Sequence, residues 1–108
     1  MAVRVLPEAR DDLREAVRYY RDVKPPQLGK KLAERVLVAF RVAVSRVEAM
    51  PLSRPEHPAI PNARYVIFPR FPYLAFYTVK GDDIVVVSVE YATRDYVERV
   101  AKRTAAAK

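Results

Sequence analysis

Through the first fifty positions, apolar residues recur at intervals of three and four. Ala9, Leu13, Ala16, Val17 and Tyr20 share one helical face. Pro7 suits the first turn of this helix, and Pro25-Pro26 stops it. Glu8, Asp11 and Asp12 lie early, and Arg18, Arg21 and Lys24 lie late, as the helix dipole prefers. A second helix is predicted from about Gln27 to Ala49, with the stripe Leu28, Leu32, Val36, Phe40, Ala43, Val44 and Val47. Leu37, Val38 and Val42 widen its apolar surface beyond that stripe. Most of this surface is expected to pack deeply, and the remainder to meet a partner. Only a few residues join the two helices, which predicts an antiparallel hairpin. Ahead of them, Ala2–Leu6 alternates as a short strand.

The pattern then changes. Met50–Ala63 contains four prolines and is expected to be a loop. Three strands follow, Arg64–Phe68, Tyr73–Lys80 and Ile84–Glu90, joined by the turns Pro69–Pro72 and Lys80–Asp83. Ile84-Val85-Val86-Val87 is apolar on both faces, which predicts a central, covered strand. Tyr65, Tyr73 and Tyr77 alternate with apolar neighbours, as rings at the core margin with hydroxyls reaching water would. A short helix is expected from Asp95, with Glu98 completing a capping box. Val97, Val100 and Ala101 form its apolar side and Arg99, Lys102 and Arg103 a basic side, before a frayed Ala-Ala-Ala-Lys end. The fold class is therefore α+β: an N-terminal strand, a two-helix antiparallel hairpin, a three-stranded antiparallel sheet and a short C-terminal helix.

A length of 108 residues suits one domain over 1–108, and 51% hydrophobic residues suffice for an ordinary core. The lack of cysteine excludes a disulfide framework, a thiol nucleophile and a cysteine zinc site. The carboxylates sit on helix ends and turns with one histidine in the chain, so no metal site and no cofactor is expected. That histidine, His57, falls in the proline-rich loop without a visible orienting partner and reads as an exposed loop residue with no role. Nothing resembles a leader or a membrane-spanning segment, so a soluble, cytoplasmic protein is expected. The net charge of +7 is spread along the chain and favours anionic partners.

Several segments, taken in order, resemble a known family. They are Ala9-Arg10-Asp11-Asp12-Leu13, Tyr19-Tyr20, Val47–Pro51, Phe71-Pro72-Tyr73-Leu74-Ala75-Phe76-Tyr77 and Ser88-Val89-Glu90-Tyr91-Ala92-Thr93-Arg94-Asp95. Together they resemble the RelE/ParE superfamily of type II toxins, often labelled plasmid stabilisation proteins, over nearly the whole chain. The strand FPY-x-x-x-Y and the ending around Arg94-Asp95 look more like ParE than RelE. Tyr91 stands where a histidine is common, and Tyr96 replaces the usual proline. RelE-type toxins cut messenger RNA on the ribosome with basic residues and a tyrosine; a strand arginine of that chemistry falls on Leu74 here. ParE-type toxins act on DNA gyrase and need no nuclease site. The resemblance implies a ParE-like toxin neutralised by a cognate acidic antitoxin, with no membrane partner; a heterotetramer with the antitoxin is one assembly it allows. The alternatives are a RelE-like ribosome-dependent mRNA endoribonuclease and a non-catalytic basic RNA- or ribosome-binding protein.

RNA cleavage would need a base for the 2′-hydroxyl, a cation for the phosphorane and an acid for the leaving oxygen. The candidates are Arg64, Arg70 and Arg94 as cations converging at one side of the sheet, with Tyr91 and Tyr96 as proton donors. For the antitoxin the candidates are Leu37, Val38 and Val42, an apolar surface suited to an amphipathic acidic peptide.

Overall fold

The structure is a computed structural model, described here for residues 2–107. Strand β1 (Val3–Val5) leads into helices α1 (Pro7–Arg21) and α2 (Pro26–Ala49). Strands β2 (Arg64–Ile67), β3 (Tyr73–Lys80) and β4 (Asp83–Tyr91) follow, and helix α3 (Val97–Ala106) ends the described chain. The sheet order is β1-β4-β3-β2. The N-terminal strand thus joins the sheet as a fourth member, parallel to β4 through Val3↔Ile84, Arg4↔Val85 and Val5↔Val86. A parallel pair needs a crossover, and the helix hairpin with β2 and β3 supplies it.

β4 is central at its start, as its apolar run predicts, and its residues from Ile84 to Glu90 are buried. One sheet face carries Val66, Tyr73, Ala75, Tyr77 and Val86 against the hairpin's Ala9, Ala16, Ala33, Val36 and Ala43. The other carries Leu74, Phe76, Val85 and Val87 under Ile60 of the proline-rich loop and Val100 of α3. The chain therefore has two apolar layers, one on each face of a single sheet. The register shifts between Phe76, opposite Ser88, and Tyr77, opposite Val86, which leaves Val87 as the extra residue of a bulge in β4.

Small residues let the two helices approach closely. Gly29 sits in the first turns of α2, where an added Cβ would lie 2.3 Å from the Arg21 carbonyl oxygen and 2.5 Å from that of Val23. Backbone meets backbone there, so no side chain can yield.

Three local expectations change. The last helix begins at Val97, not Asp95, and Tyr96 stands at its N-cap with no side-chain cap hydrogen bond. The Tyr96 ring is anchored against Phe76, with centroids 5.0 Å apart, so burial sets the helix entry in place of a capping box. The alanine end is helical through Ala106, and the Ala107 N–H donates to the Arg103 carbonyl at 3.0 Å; Lys108 lies outside the described residues. Tyr77 is fully buried, and its hydroxyl donates to the Pro51 carbonyl at 2.5 Å instead of reaching water. That bond ties the proline-rich loop to the sheet.

Candidate functional site

β1 is only three residues long, so it leaves the outer edge of β4 without a strand neighbour beyond Val86. An open edge must find other partners for its backbone. α1 crosses this edge, and Asp12 Oδ2 accepts the Val89 N–H at 3.0 Å. From the opposite face α3 reaches the same place. Arg103 donates to Asp12 at 2.5 Å and to the Ser88 hydroxyl at 2.7 Å. Arg99 grips Glu90 through two nitrogens, at 3.0 and 2.5 Å. Ser88 in turn donates to Glu90. Glu90 is only 3% exposed, so the fork from Arg99 is what makes its burial tolerable. The hydrogen bonds that Arg99 donates to Glu90 also raise the Arg99 pKa, against the opposing pull of burial. The two carboxylates and two guanidiniums clasp the layers on both sides of the sheet.

Beside this clasp lies a cleft of about 640 Å³ between α1, the end of β4 and α3. Asp12, Glu15, Ala16 and Tyr19 supply one wall at helical spacing; Tyr73, Tyr91 and Arg94 supply the far end. The tyrosines form a contiguous group. Tyr19 meets Tyr20 with centroids 5.2 Å apart, Tyr20 meets Tyr73 at 6.2 Å, and Tyr73 meets Tyr91 at 5.5 Å. Phe71 of the β2–β3 turn closes on Tyr20 at 5.1 Å. The segment after β4 is held by the Ala92 N–H on the Pro72 carbonyl, 2.8 Å, and the Arg94 N–H on the Tyr91 carbonyl, 3.0 Å.

Burial, then neighbouring hydroxyls, push the Tyr20 and Tyr73 pKa values above 10, with Arg94 partly offsetting the rise at Tyr73. Burial does the same at Tyr77 and Tyr96. All four are thus protonated donors near neutrality. A raised phenol titrates later folded than unfolded, so its contribution to stability is complete below pH 10. It is lost as pH rises through the higher folded values. The denaturant midpoint should therefore hold from pH 7 to 9 and fall between pH 10 and 12; a midpoint that rises over the upper window would contradict the burial of these rings.

The nuclease candidates do not come together. Arg64 pairs across from Tyr77, roughly 10 Å of strand from the β2–β3 turn. Its guanidinium is committed to the Leu52 and Arg54 carbonyls, at 3.2 and 2.5 Å, with Glu56 at 3.8 Å. It is a fastener for the loop. Arg70 is exposed in the turn, at φ +65°. Tyr91 and Arg94 share the cleft, whereas Tyr96 lies in the core layer beneath α3. Leu74 is 8% exposed, facing that same layer. Arg94 is exposed and, among the described residues, no carboxylate lies within 4.0 Å of it.

His57 differs from its expected blandness. It is half-buried, ringed by Tyr65, Phe76 and Tyr96, with Nε2 3.3 Å from the Tyr96 hydroxyl. Its Nδ1 accepts the Ala59 N–H at 3.1 Å, which places the neutral ring's proton on Nε2. It joins the proline-rich loop to the start of α3.

Of the antitoxin candidates, Leu37 packs against the main core, Val42 is half-buried and Val38 is 53% exposed. Val38 lies about 200° round the helix from fully buried Val36, so it faces away from the core. Among the described residues no group of three or more His, Cys, Asp or Glu is arranged to hold a metal, and no helix is long and apolar enough to cross a membrane.

Comparison with known proteins places these features. A solved structure, a chromosomal ParDE TA system from P. aeruginosa, is similar in fold with a TM-score of 0.67. The identity is 20%, over 84% of this chain and 95% of that one. No curated protein matches the sequence significantly. The family model described as ParE toxin of type II toxin-antitoxin system, parDE, matches residues 3–96, and the chain therefore belongs to the ParE toxin family as a ParE-like type II toxin.

Proposed function

We propose that this toxin acts by binding DNA gyrase, without cutting RNA, and that a cognate acidic antitoxin neutralises it in the cytoplasm. The observation that carries the target is the dispersal of the nuclease candidates. RNA cleavage needs a base, a cation and an acid within reach of one phosphate. Here Arg64 fastens a loop, Tyr96 lies beneath α3, and the strand position of a RelE-type arginine is filled by buried Leu74. Tyr91 and Arg94 share a cleft, and a tyrosine hydroxyl beside an arginine supplies a donor and a cation without a base. A binding surface suffices for a protein that stalls a large enzyme.

The antitoxin reading draws on α2. Its sequence holds five basic residues against two acidic ones, and Val38 with Val42 forms an apolar stripe among exposed Arg35, Arg41 and Arg46. An amphipathic acidic segment matches that combination of stripe and charge. Replacing both Val38→Asp and Val42→Asp should weaken antitoxin binding at least tenfold, read by co-purification and titration calorimetry, while thermal unfolding stays near that of the parent. Undiminished binding would remove α2 from the antitoxin surface. For the target, the chain should be induced in growing cells without antitoxin. The expected outcome is DNA damage with intact messages; cleaved messages on translating ribosomes and undamaged DNA would favour the RelE-like reading.

A further inference from the structure

The cleft beside the clasp has a charge arrangement that selects its occupant. Asp12 is neutralised by Arg103 and Glu90 by Arg99, so the polar floor is internally satisfied. Two opposite charges are left facing solvent, Glu15 on the α1 wall and Arg94 at the far end. Exposed tyrosines stand between: Tyr19 is 66% and Tyr91 37% exposed. Buried Tyr73 joins them from below. Tyrosine and arginine, with tryptophan, are enriched among the side chains that dominate protein–protein binding.

We infer that this cleft is the surface with which the toxin grips its protein target, and that it accepts an acidic loop whose carboxylate meets Arg94 between Tyr19 and Tyr91. The inference rests on the proposal that the target is gyrase, and names the part of the toxin that touches it. Three observations select a protein loop. First, the cleft's six charged side chains balance, and three of them are carboxylates, which oppose a polyanion such as a nucleic acid. One carboxylate can avoid Glu15 by seating at the Arg94 end. Second, a volume of about 640 Å³ suits a few side chains and not a tracked backbone. Third, a tyrosine O–H can donate, so Tyr19 and Tyr91 can add hydrogen bonds to a carboxylate that Arg94 already attracts. The cleft is also separate from the exposed stripe of α2, because α1 faces it with Asp12, Glu15 and Tyr19. Target and antitoxin would then use different surfaces.

The test is titration calorimetry of the purified toxin against each gyrase subunit and against the antitoxin. The variants are Arg94→Glu and Tyr19→Ala, both at exposed positions and each checked for parental thermal unfolding. Arg94→Glu should weaken gyrase binding by at least tenfold and Tyr19→Ala severalfold, with antitoxin affinity unchanged. Folded variants that bind gyrase as the parent does would overturn the inference and leave the gyrase reading standing. A parent toxin that binds neither subunit would overturn both. A labelled single-stranded 20-mer DNA held by the parent and released by Arg94→Glu would assign the cleft to nucleic acid, and overturn the acidic-loop occupant.

Discussion

Replacing Gly29→Ala should destabilise the toxin by about 3 kcal/mol, the upper end of what inserting one buried methyl costs. The reason is geometric. The new Cβ would sit 2.3 Å from one backbone carbonyl oxygen and 2.5 Å from another, both belonging to the end of α1 and the segment after it. Alanine is otherwise the better helix former, by about 1 kcal/mol, so propensity alone predicts the opposite sign. Relief requires the hairpin to open, which strips contacts between α1 and α2 along Ala16, Ala33 and Val36. A urea unfolding midpoint measures it directly. A midpoint equal to or above the parent's would mean the helices do not approach this closely. The other glycine provides contrast: Gly81 has φ +59° and open space around it, so its alanine variant carries backbone strain of about 1 kcal/mol and no collision.

Replacing Glu90→Ala should cost a similar amount, about 3 kcal/mol, through a different mechanism. The substitution removes a carboxylate 3% exposed, takes from Arg99 its paired partner and from Arg103 a longer contact at 3.9 Å, while Asp12 still holds Arg103 at 2.5 Å. Removing one partner of a buried pair typically costs 3–5 kcal/mol. The lower end applies because the Arg99 side chain is 40% exposed and can rehydrate. The damage should be local first. Hydrogen exchange at α3 amides should accelerate more than at β3, because Arg99 and Arg103 are the polar fasteners of that helix. Glu90→Ala combined with Arg99→Ala should cost less than the two single effects added, since each removes the other's reason for being there. Strict additivity would mean that Glu90 and Arg99 do not act as a unit.

These two effects also mark the boundary of what the sequence makes legible. Periodicity locates both long helices, the three hairpin strands and the apolar side of α3, because each buries a repeating stripe. It places β4 in the middle of the sheet from four successive apolar residues. It does not reveal that β1 pairs parallel to β4, since three residues carry no signal for a partner 81 positions away. The capping box at Asp95 fails because Tyr96 is drawn into the lower core before the helix can begin.

The clasp and cleft were the least legible parts. Asp12 reads from sequence as a carboxylate favouring a helix dipole, and Arg99 and Arg103 as a solvated basic side. One signal was present. Ser88 and Glu90 continue a strand that is apolar on both faces, and polar side chains forced inside require partners. Arg99 and Arg103, four apart on one helical face, are suitable donors. The pairing spans up to 91 positions, so only the fold brings it together. Of the candidate cations, Arg64 was legible as charge but not as a fastener, because its partners are backbone carbonyls of a loop without a periodic pattern. Arg94 and Tyr91 do share a site, and the tyrosines that complete it come from α1 and β3. Likewise His57 gains its role from rings supplied by three other segments.

On the function proposed above, this ParE-like toxin inhibits gyrase by binding it. The most direct measurement is supercoiling of relaxed plasmid by purified gyrase with increasing toxin, repeated with antitoxin present. Supercoiling should fall as toxin is added, and antitoxin should restore it. Undisturbed supercoiling at a large molar excess of folded toxin, together with message cleavage on translating ribosomes, would rule out gyrase as the target.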